Sequence, residues 1–182
     1  VLTGKNWEKW GHATTSDTVI EKWNTVYFDF WVKLTFADGT KWSSDIQRVW
    51  YFLKDGEQTA PEHIQTMFNT IVSSISAGIN WFKPGMTGKE ADEIVRNIVN
   101  QESGHDYDHA TGHPIWEEAH GPGVIIGAKN TRRILKLNNG WVYTIEPRIP
   151  VENGISVEEM VVVTTQWNTV IWDRQTELIL IT

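Results

Sequence analysis

Thr25-Val26-Tyr27-Phe28-Asp29-Phe30-Trp31-Val32-Lys33-Leu34 and Ser44-Asp45-Ile46-Gln47-Arg48-Val49-Trp50-Tyr51-Phe52-Leu53, separated by a turn through Ala37-Asp38-Gly39, decide the fold. Both stretches are dense in Val, Ile, Phe, Tyr and Trp, which suit a pleated surface, so each reads as a strand. Successive residues of a strand point to opposite faces. Val26, Phe28, Phe30 and Val32 therefore share one face, and Tyr27, Asp29 and Trp31 share the other. Asp29 is then a carboxylate in the middle of a strong strand, where an unpaired charge is costly.

Further strands are expected over Trp141–Ile149, Ile155–Thr165 and Leu178–Thr182. Two helices interrupt them. In Pro61–Gly78 the apolar residues Ile64, Met67, Phe68, Ile71, Val72 and Ile75 fall on one helical face. Pro61 suits the first turn and Gly78 a C-terminal stop. Thr87-Gly88-Lys89-Glu90 has the pattern of a capping box. Ala91, Ile94, Val95, Ile98 and Val99 form the buried stripe behind it, and Gly104 ends the helix. No βαβ alternation and no Gly-rich phosphate loop appears. The class is α+β, with mainly antiparallel strands packing one face on two helices.

The 182 residues fit one domain, 1–182, with a sizeable core. Sixteen Lys and Arg against 23 Asp and Glu give a formal charge of −7, which argues against nucleic acid or anionic lipid as partner. With no cysteine, disulfides, thiolate nucleophiles and Cys-ligated zinc are excluded. No apolar run reaches the ~20 residues of a membrane-spanning helix. A soluble, cytoplasmic protein is expected.

Asp29 is not alone. Glu146 interrupts Val142-Tyr143-Thr144-Ile145, and Glu158 and Glu159 interrupt Ile155–Val163. Ile155, Val157, Val161 and Val163 make the apolar face there, so Glu158 points the other way with Ser156 and Met160. Asp45 opens a strand of its own. Acids at strand ends, in solvent or paired with Arg48, Arg132, Arg133 and Arg148, are the plain reading. A cation cluster is the sharper one, because divalent ions take carboxylate oxygens and rigid strands hold them at fixed separation. His109, His113 and His120 lie in one Gly-punctuated stretch, and Gly112 and Pro114 argue against helix around His113. Asp106 and Asp108 read as solvated loop acids. His63 and His105 have no assigned role.

Taken together, these residues resemble the pita-bread metallopeptidases, which include aminopeptidase P, prolidase, methionine aminopeptidase and creatinase. Asp29, Asp45, His113, Glu146 and Glu158 occur in the order of that family's five metal ligands. Tyr27-Phe28-Asp29-Phe30 is similar to the first-ligand strand and Ser44-Asp45-Ile46-Gln47-Arg48 to the S-D-x-x-R segment. Thr111-Gly112-His113-Pro114-Ile115 resembles the G-H-x-I turn, Thr144-Ile145-Glu146-Pro147 the T-x-E-P string, and Gly154-Ile155-Ser156-Val157-Glu158 the final ligand strand. Lys83-Pro84-Gly85-Met86-Thr87 matches the P-G-M-T that opens a family helix. His109, four residues before His113, is similar to the proline-directed branch of aminopeptidase P and prolidase.

The resemblance implies a curved, mainly antiparallel sheet with helices on one face, holding two divalent ions, with Mn favoured and Co or Zn as substitutes. Asp45 and Glu158 would bridge both ions, Asp29 would hold one, and His113 and Glu146 the other. Glu146 would also shuttle a proton, His120 would steady the tetrahedral intermediate, and His12 and His109 would position the substrate. The implied reaction is hydrolysis near the N-terminus of short peptides, with proline after the scissile bond.

The chain also departs from the family pattern. Family domains carry further helices and strands before the segment of His12. A missing N-terminal segment, a partner chain or a homodimer is therefore expected to cover an apolar surface. Trp23, Trp31, Trp116 and Trp167 stand at family glycines, where a bulky ring is expected to be strained or displaced. Trp31 shares the face of Asp29 and could fill substrate space. Ala37–Lys41 is extra length, Ser156 replaces an Arg, and Glu159 takes an Asp or Asn position. Two other readings remain open: a catalytically silent module that binds peptide or protein, and a β-domain whose eleven Trp stack sugars or aromatic ligands.

Overall fold

A computed structural model describes residues 2–3 and 19–182. The described strands are β1 (Leu2–Thr3), β2 (Thr25–Thr35), β3 (Lys41–Phe52), β4 (Pro114–Ile115), β5 (Trp141–Ile145), β6 (Glu159–Val163), β7 (Thr169–Val170) and β8 (Ile179–Ile181). Helices α1 (Glu62–Trp81) and α2 (Gly88–Ser103) follow β3, and a 3-10 turn spans Thr131–Ile134. The strands form two sheets, ordered β1-β2-β3-β8 and β4-β5-β6-β7. Every strand pair is antiparallel except β3 with β8.

β2 and β3 pair along their full length, with Asp29 across from Gln47 and Trp31 across from Asp45. Asp45, Asp29 and Trp31 therefore project from one face. On that face Tyr27 and Val49 are buried and join the main core. The opposite face of β2 carries Phe28, Phe30, Val32 and Leu34, each at least 40% exposed. It is an apolar surface of the kind anticipated from the sequence.

The helices meet the expected start signals but not every stop. Thr87 caps α2 in a complete capping box with Glu90, and Gly104 closes it in the left-handed conformation at φ 72°. Helix α1 runs past Gly78 to Trp81. Gly78 is a contact point rather than a stop. A Cβ there would lie 2.9 Å from Cδ1 of Ile145 and 3.1 Å from Cγ2 of Val95, so its small size lets α1 approach β5 and α2. Ile64, Phe68, Ile71 and Ile75 of α1 share one core with Val95 and Val99 of α2 and with Ile145, Val161 and Val163 of the second sheet.

Strand limits also move. β5 stops at Ile145 because Pro147 has no N–H to donate. The run leading into β6 is not one strand. It changes partners, with Ser156 bridging Arg148 and Glu158 bridging Gln47 of β3. That second bridge joins the two sheets. The expected alternation holds: Ile155, Val157, Val161 and Val163 lie in the main core, while Met160 packs with Ile115 and Val142 on the other side.

Among the four tryptophans at family glycine positions, only Trp23 takes a positive φ, 74°. Strain is therefore not the common consequence. Trp116 packs between Trp42 and Trp141, with ring centroids 6.0 and 5.5 Å away. Trp167 is 72% exposed.

Candidate metal centre

The two sheets bring the expected ligand residues together. One group of ligand atoms, from Asp29, Asp45 and Glu158, lies within 4.8 Å of one another, and so does a second from His113, Glu146 and Glu158. A third group of the same size joins Asp45, His113 and His120. The groups overlap at Asp45, Glu158 and His113, so five ligand candidates and one further imidazole form a continuous cluster. His113 Nε2 stands 3.3 Å from Glu146 Oε1 and 3.8 Å from Asp45 Oδ2.

Backbone pairing sets these separations. The β2–β3 ladder carries Asp29 and Asp45. Glu146 N donates to Thr111 O at 2.8 Å, and Thr144 N donates to His113 O at 2.9 Å. The Thr144 hydroxyl accepts from His113 N at 3.0 Å and donates to Glu146 Oε1 at 3.2 Å. Gly112 allows this closeness: an added Cβ would stand 2.0 Å from Thr144 O. Gly112→Ala is therefore expected to force the strands apart, at a cost of about 1–3 kcal/mol in denaturant unfolding. Cation affinity should fall in the same variant, and unchanged affinity would mean that His113 tolerates the shift.

Helix α2 supports the histidine stretch through a buried ion pair. Arg96 Nε and Nη2 donate to the two oxygens of Asp92 at 2.7 and 2.8 Å, as a planar fork suits a carboxylate. The guanidinium also donates to the carbonyls of Tyr107 and, at 2.9 Å, His109. Thr111 donates its hydroxyl to Asp92. Asp106 is exposed, as expected of a solvated loop acid, and also accepts from Arg96 at 2.8 Å.

The electrostatics are those of a site built for positive charge. Burial, then Asp29, pushes the Asp45 carboxyl up to about 7. Burial, then Asp45 and Asp29, pushes Glu146 up to about 8. Glu158 is raised well above the usual range by burial and then by Glu146, Asp45 and Asp29. Among the described residues, no Lys or Arg forms an ion pair with Asp45, Glu146 or Glu158. Glu158 Oε1 is buried without a hydrogen-bond partner. Burial, then His120, lowers His113 to about 3, so its imidazole is neutral and keeps a nitrogen lone pair. Several carboxylates, one neutral imidazole and an orphaned buried oxygen fit divalent cations in chemistry and in number.

The helper histidines divide. His120 is exposed and stacks on His113 at 4.3 Å between centroids. His109 turns Nε2 toward Glu146 O at 2.9 Å, so its ring braces the backbone of a ligand candidate. Burial lowers its pKa to about 4. His12 lies outside the described residues. Trp31 stands across from Asp45 and is 52% exposed, so the indole is not buried inside the cluster. Sequence reading missed Asp92 and Arg96 as supports, whereas the Arg48–Glu159 pair is one of the ion pairs it weighed for the strand acids. A charge inside an apolar strand is the one local signal that Glu159 offered.

The model of metallopeptidase family M24 matches residues 1–165. An uncharacterized peptidase of Bacillus subtilis is 31% identical over 174 residues, covering 93% of this chain and 45% of that protein. An Xaa-Pro dipeptidase of Pyrococcus horikoshii is 27% identical over 171 residues, covering 92% of this chain and 45% of its own length. Among solved structures, an Xaa-Pro dipeptidase from Bacillus anthracis superposes with a TM-score of 0.76 at 27% identity, over 98% of this chain and 47% of that one. A methionine aminopeptidase from Rickettsia prowazekii shares the fold at a TM-score of 0.62 and 17% identity, over 85% of this chain and 66% of that one. The chain spans about half the length of the curated relatives it matches. No helix of the described residues is long and apolar enough to cross a membrane.

Proposed function

Because the chain belongs to metallopeptidase family M24, we propose that it hydrolyses a peptide bond near the N-terminus of short peptides, with proline after the scissile bond, using two divalent cations. Manganese is the preferred ion in this reading, and the cytoplasm is the compartment. The observation that carries it is the pair of ligand groups sharing Glu158, with no Lys or Arg among the described residues paired to Asp45, Glu146 or Glu158. Asp29, Asp45, His113, Glu146 and Glu158 would hold the ions, with Glu158 common to both ligand groups. Bound there, two cations would polarise the scissile carbonyl and make a water more acidic.

The chain's own residues do the remaining work. Glu146 holds a proton on a carboxylate oxygen and delivers it to the departing amine. The Thr144 hydroxyl fixes which way that carboxylate faces. His120, beside His113 and open to solvent, donates a hydrogen bond to the peptide oxygen as charge develops on it. His109 acts through Glu146, whose carbonyl it holds, and His12 keeps its expected role of positioning substrate. The Xaa-Pro dipeptidase names of the relatives support the proline preference.

The test is hydrolysis of Ala-Pro and Gly-Pro dipeptides, and of a longer peptide with proline second, by metal-free protein given Mn2+. Cleavage on the N-terminal side of proline is expected. Protein that takes up two ions per chain and cleaves none of these peptides would support the silent binding module instead.

A further inference from the structure

We propose that Arg48 is a positioning residue for the cation pair: clamped by Glu159, it fixes the spacing between Asp45 and Glu158 by fastening the two sheets together where those residues leave them. The inference rests on the dinuclear reading above and deepens it.

Arg48 lies three positions beyond Asp45 on β3, so its side chain leaves the opposite face and does not enter the cluster. Its guanidinium grips three carbonyls and one carboxylate, from its own neighbour Gln47, from the adjacent Glu158 and Glu159, and from Asp173. Nη1 donates to Glu158 O at 2.7 Å and to Gln47 O at 3.0 Å. Nη2 donates to Asp173 O at 3.0 Å and to Glu159 Oε2 at 3.2 Å. Gln47 O also accepts from Glu158 N at 3.1 Å, so the guanidinium sits on the bridge between the sheets. Glu159 is 1% exposed, and its other oxygen accepts from Gln175 N at 2.9 Å.

The arrangement has a mechanical consequence. Glu158 and Glu159 point to opposite faces, so the pair Arg48–Glu159 holds the backbone of Glu158 from behind while its carboxylate faces Asp45. Asp45 and Glu158 come from different sheets and repel each other when ionised. Beside Glu158 the only backbone bond across the sheets among the described residues is the one to Gln47, since the next, from Ser43 N to Trp116 O at 2.9 Å, lies at the far side of Asp45. One such bond is a weak restraint against that repulsion. A planar fork bonded to four oxygens is a rigid one, and a lysine ammonium in its place cannot reach them all.

The test is calorimetric titration of metal-free protein with Mn2+, comparing wild type with Arg48→Lys, Glu159→Gln and Gln175→Ala. The last removes only side-chain bonds to Val49 N and O, at 2.9 and 2.6 Å, and to Glu177 O at 3.2 Å, and serves as a stability control. Wild type should bind two ions. Because Glu158 is common to both ligand groups, Arg48→Lys and Glu159→Gln should each weaken both ions by about 10–100-fold, the usual effect of removing a group that orients a ligand. Gln175→Ala should lower Tm with both affinities unchanged. Wild-type affinities in Arg48→Lys and Glu159→Gln would overturn the clamp, as would affinities that fall in step with Tm in all three variants. A wild-type chain that takes up no ion would sink the dinuclear reading itself, and the clamp with it.

Discussion

Metal-free protein should lose thermal stability as the pH rises from about 6.5 to about 8.5, and Mn2+ should restore it most strongly at the alkaline end. Above about pH 6.5 the neutral His109 and His113 no longer oppose the carboxyls. The sign follows from the raised carboxyls. Asp45 is pushed to about 7 and Glu146 to about 8, in each case first by burial and then by neighbouring acids, and Glu158 moves the same way. In the unfolded chain such groups titrate near pH 4. The folded chain therefore keeps protons that the unfolded chain releases. Stability from these groups is complete below about pH 4 and is lost as the pH climbs through the folded values. Divalent cations favour the deprotonated carboxylates, so they act against the same loss. At a hundred times its Kd, a cation adds about 2.7 kcal/mol, or a rise of roughly 5–10 °C in Tm for a chain of this size. Melting in chelator and in Mn2+ at several pH values measures both effects. A Tm in chelator that stays flat or rises across this window would contradict the buried cluster, and so would a Mn2+ effect equal at both ends.

Most of what positions this site was legible because it is local. The capping box at Thr87 and the stop at Gly104 are read from a few adjacent residues, and α2 forms as they dictate. The two-residue period put Glu158 opposite Val157 and Val161, and the core follows that division. Gly78 shows the limit. A glycine at the end of an apolar helical pattern looks like a stop, but its neighbours in space are Ile145 and Val95, far along the chain. The buried pair Asp92–Arg96 was invisible for a related reason. Its other partners, Tyr107, His109 and Thr111, are ten or more residues away, and only the folded loop brings the carbonyls of Tyr107 and His109 to the guanidinium and the Thr111 hydroxyl to Asp92. Strand limits near the site failed where one strand serves two sheets. The segment from Ile155 reads as a single run, yet it pairs first with Arg148, then with β3, and only then with β5.

The second large effect is expected from Glu158→Gln, which should raise stability and abolish function together. Glu158 is 3% exposed and raised well above the usual carboxylate range, first by burial and then by Glu146, Asp45 and Asp29. Gln keeps the shape of the side chain and removes a charge that folding must either desolvate or neutralise. In chelator at about pH 8, the variant should therefore melt above wild type, and its Tm should depend less steeply on pH. Both ligand groups around the proposed ion pair use Glu158, so the same substitution strikes both ions at once. Affinity should fall by more than the roughly 10–100-fold seen when only a supporting partner is removed. Hydrolysis of X-Pro peptides should fall with it at any Mn2+ concentration that saturates wild type. The opposed signs separate this from ordinary damage, since a variant that misfolds loses stability and binding alike. A Glu158→Gln protein that melts lower in chelator and still binds two ions would show that this carboxylate belongs to the fold and not to a metal centre.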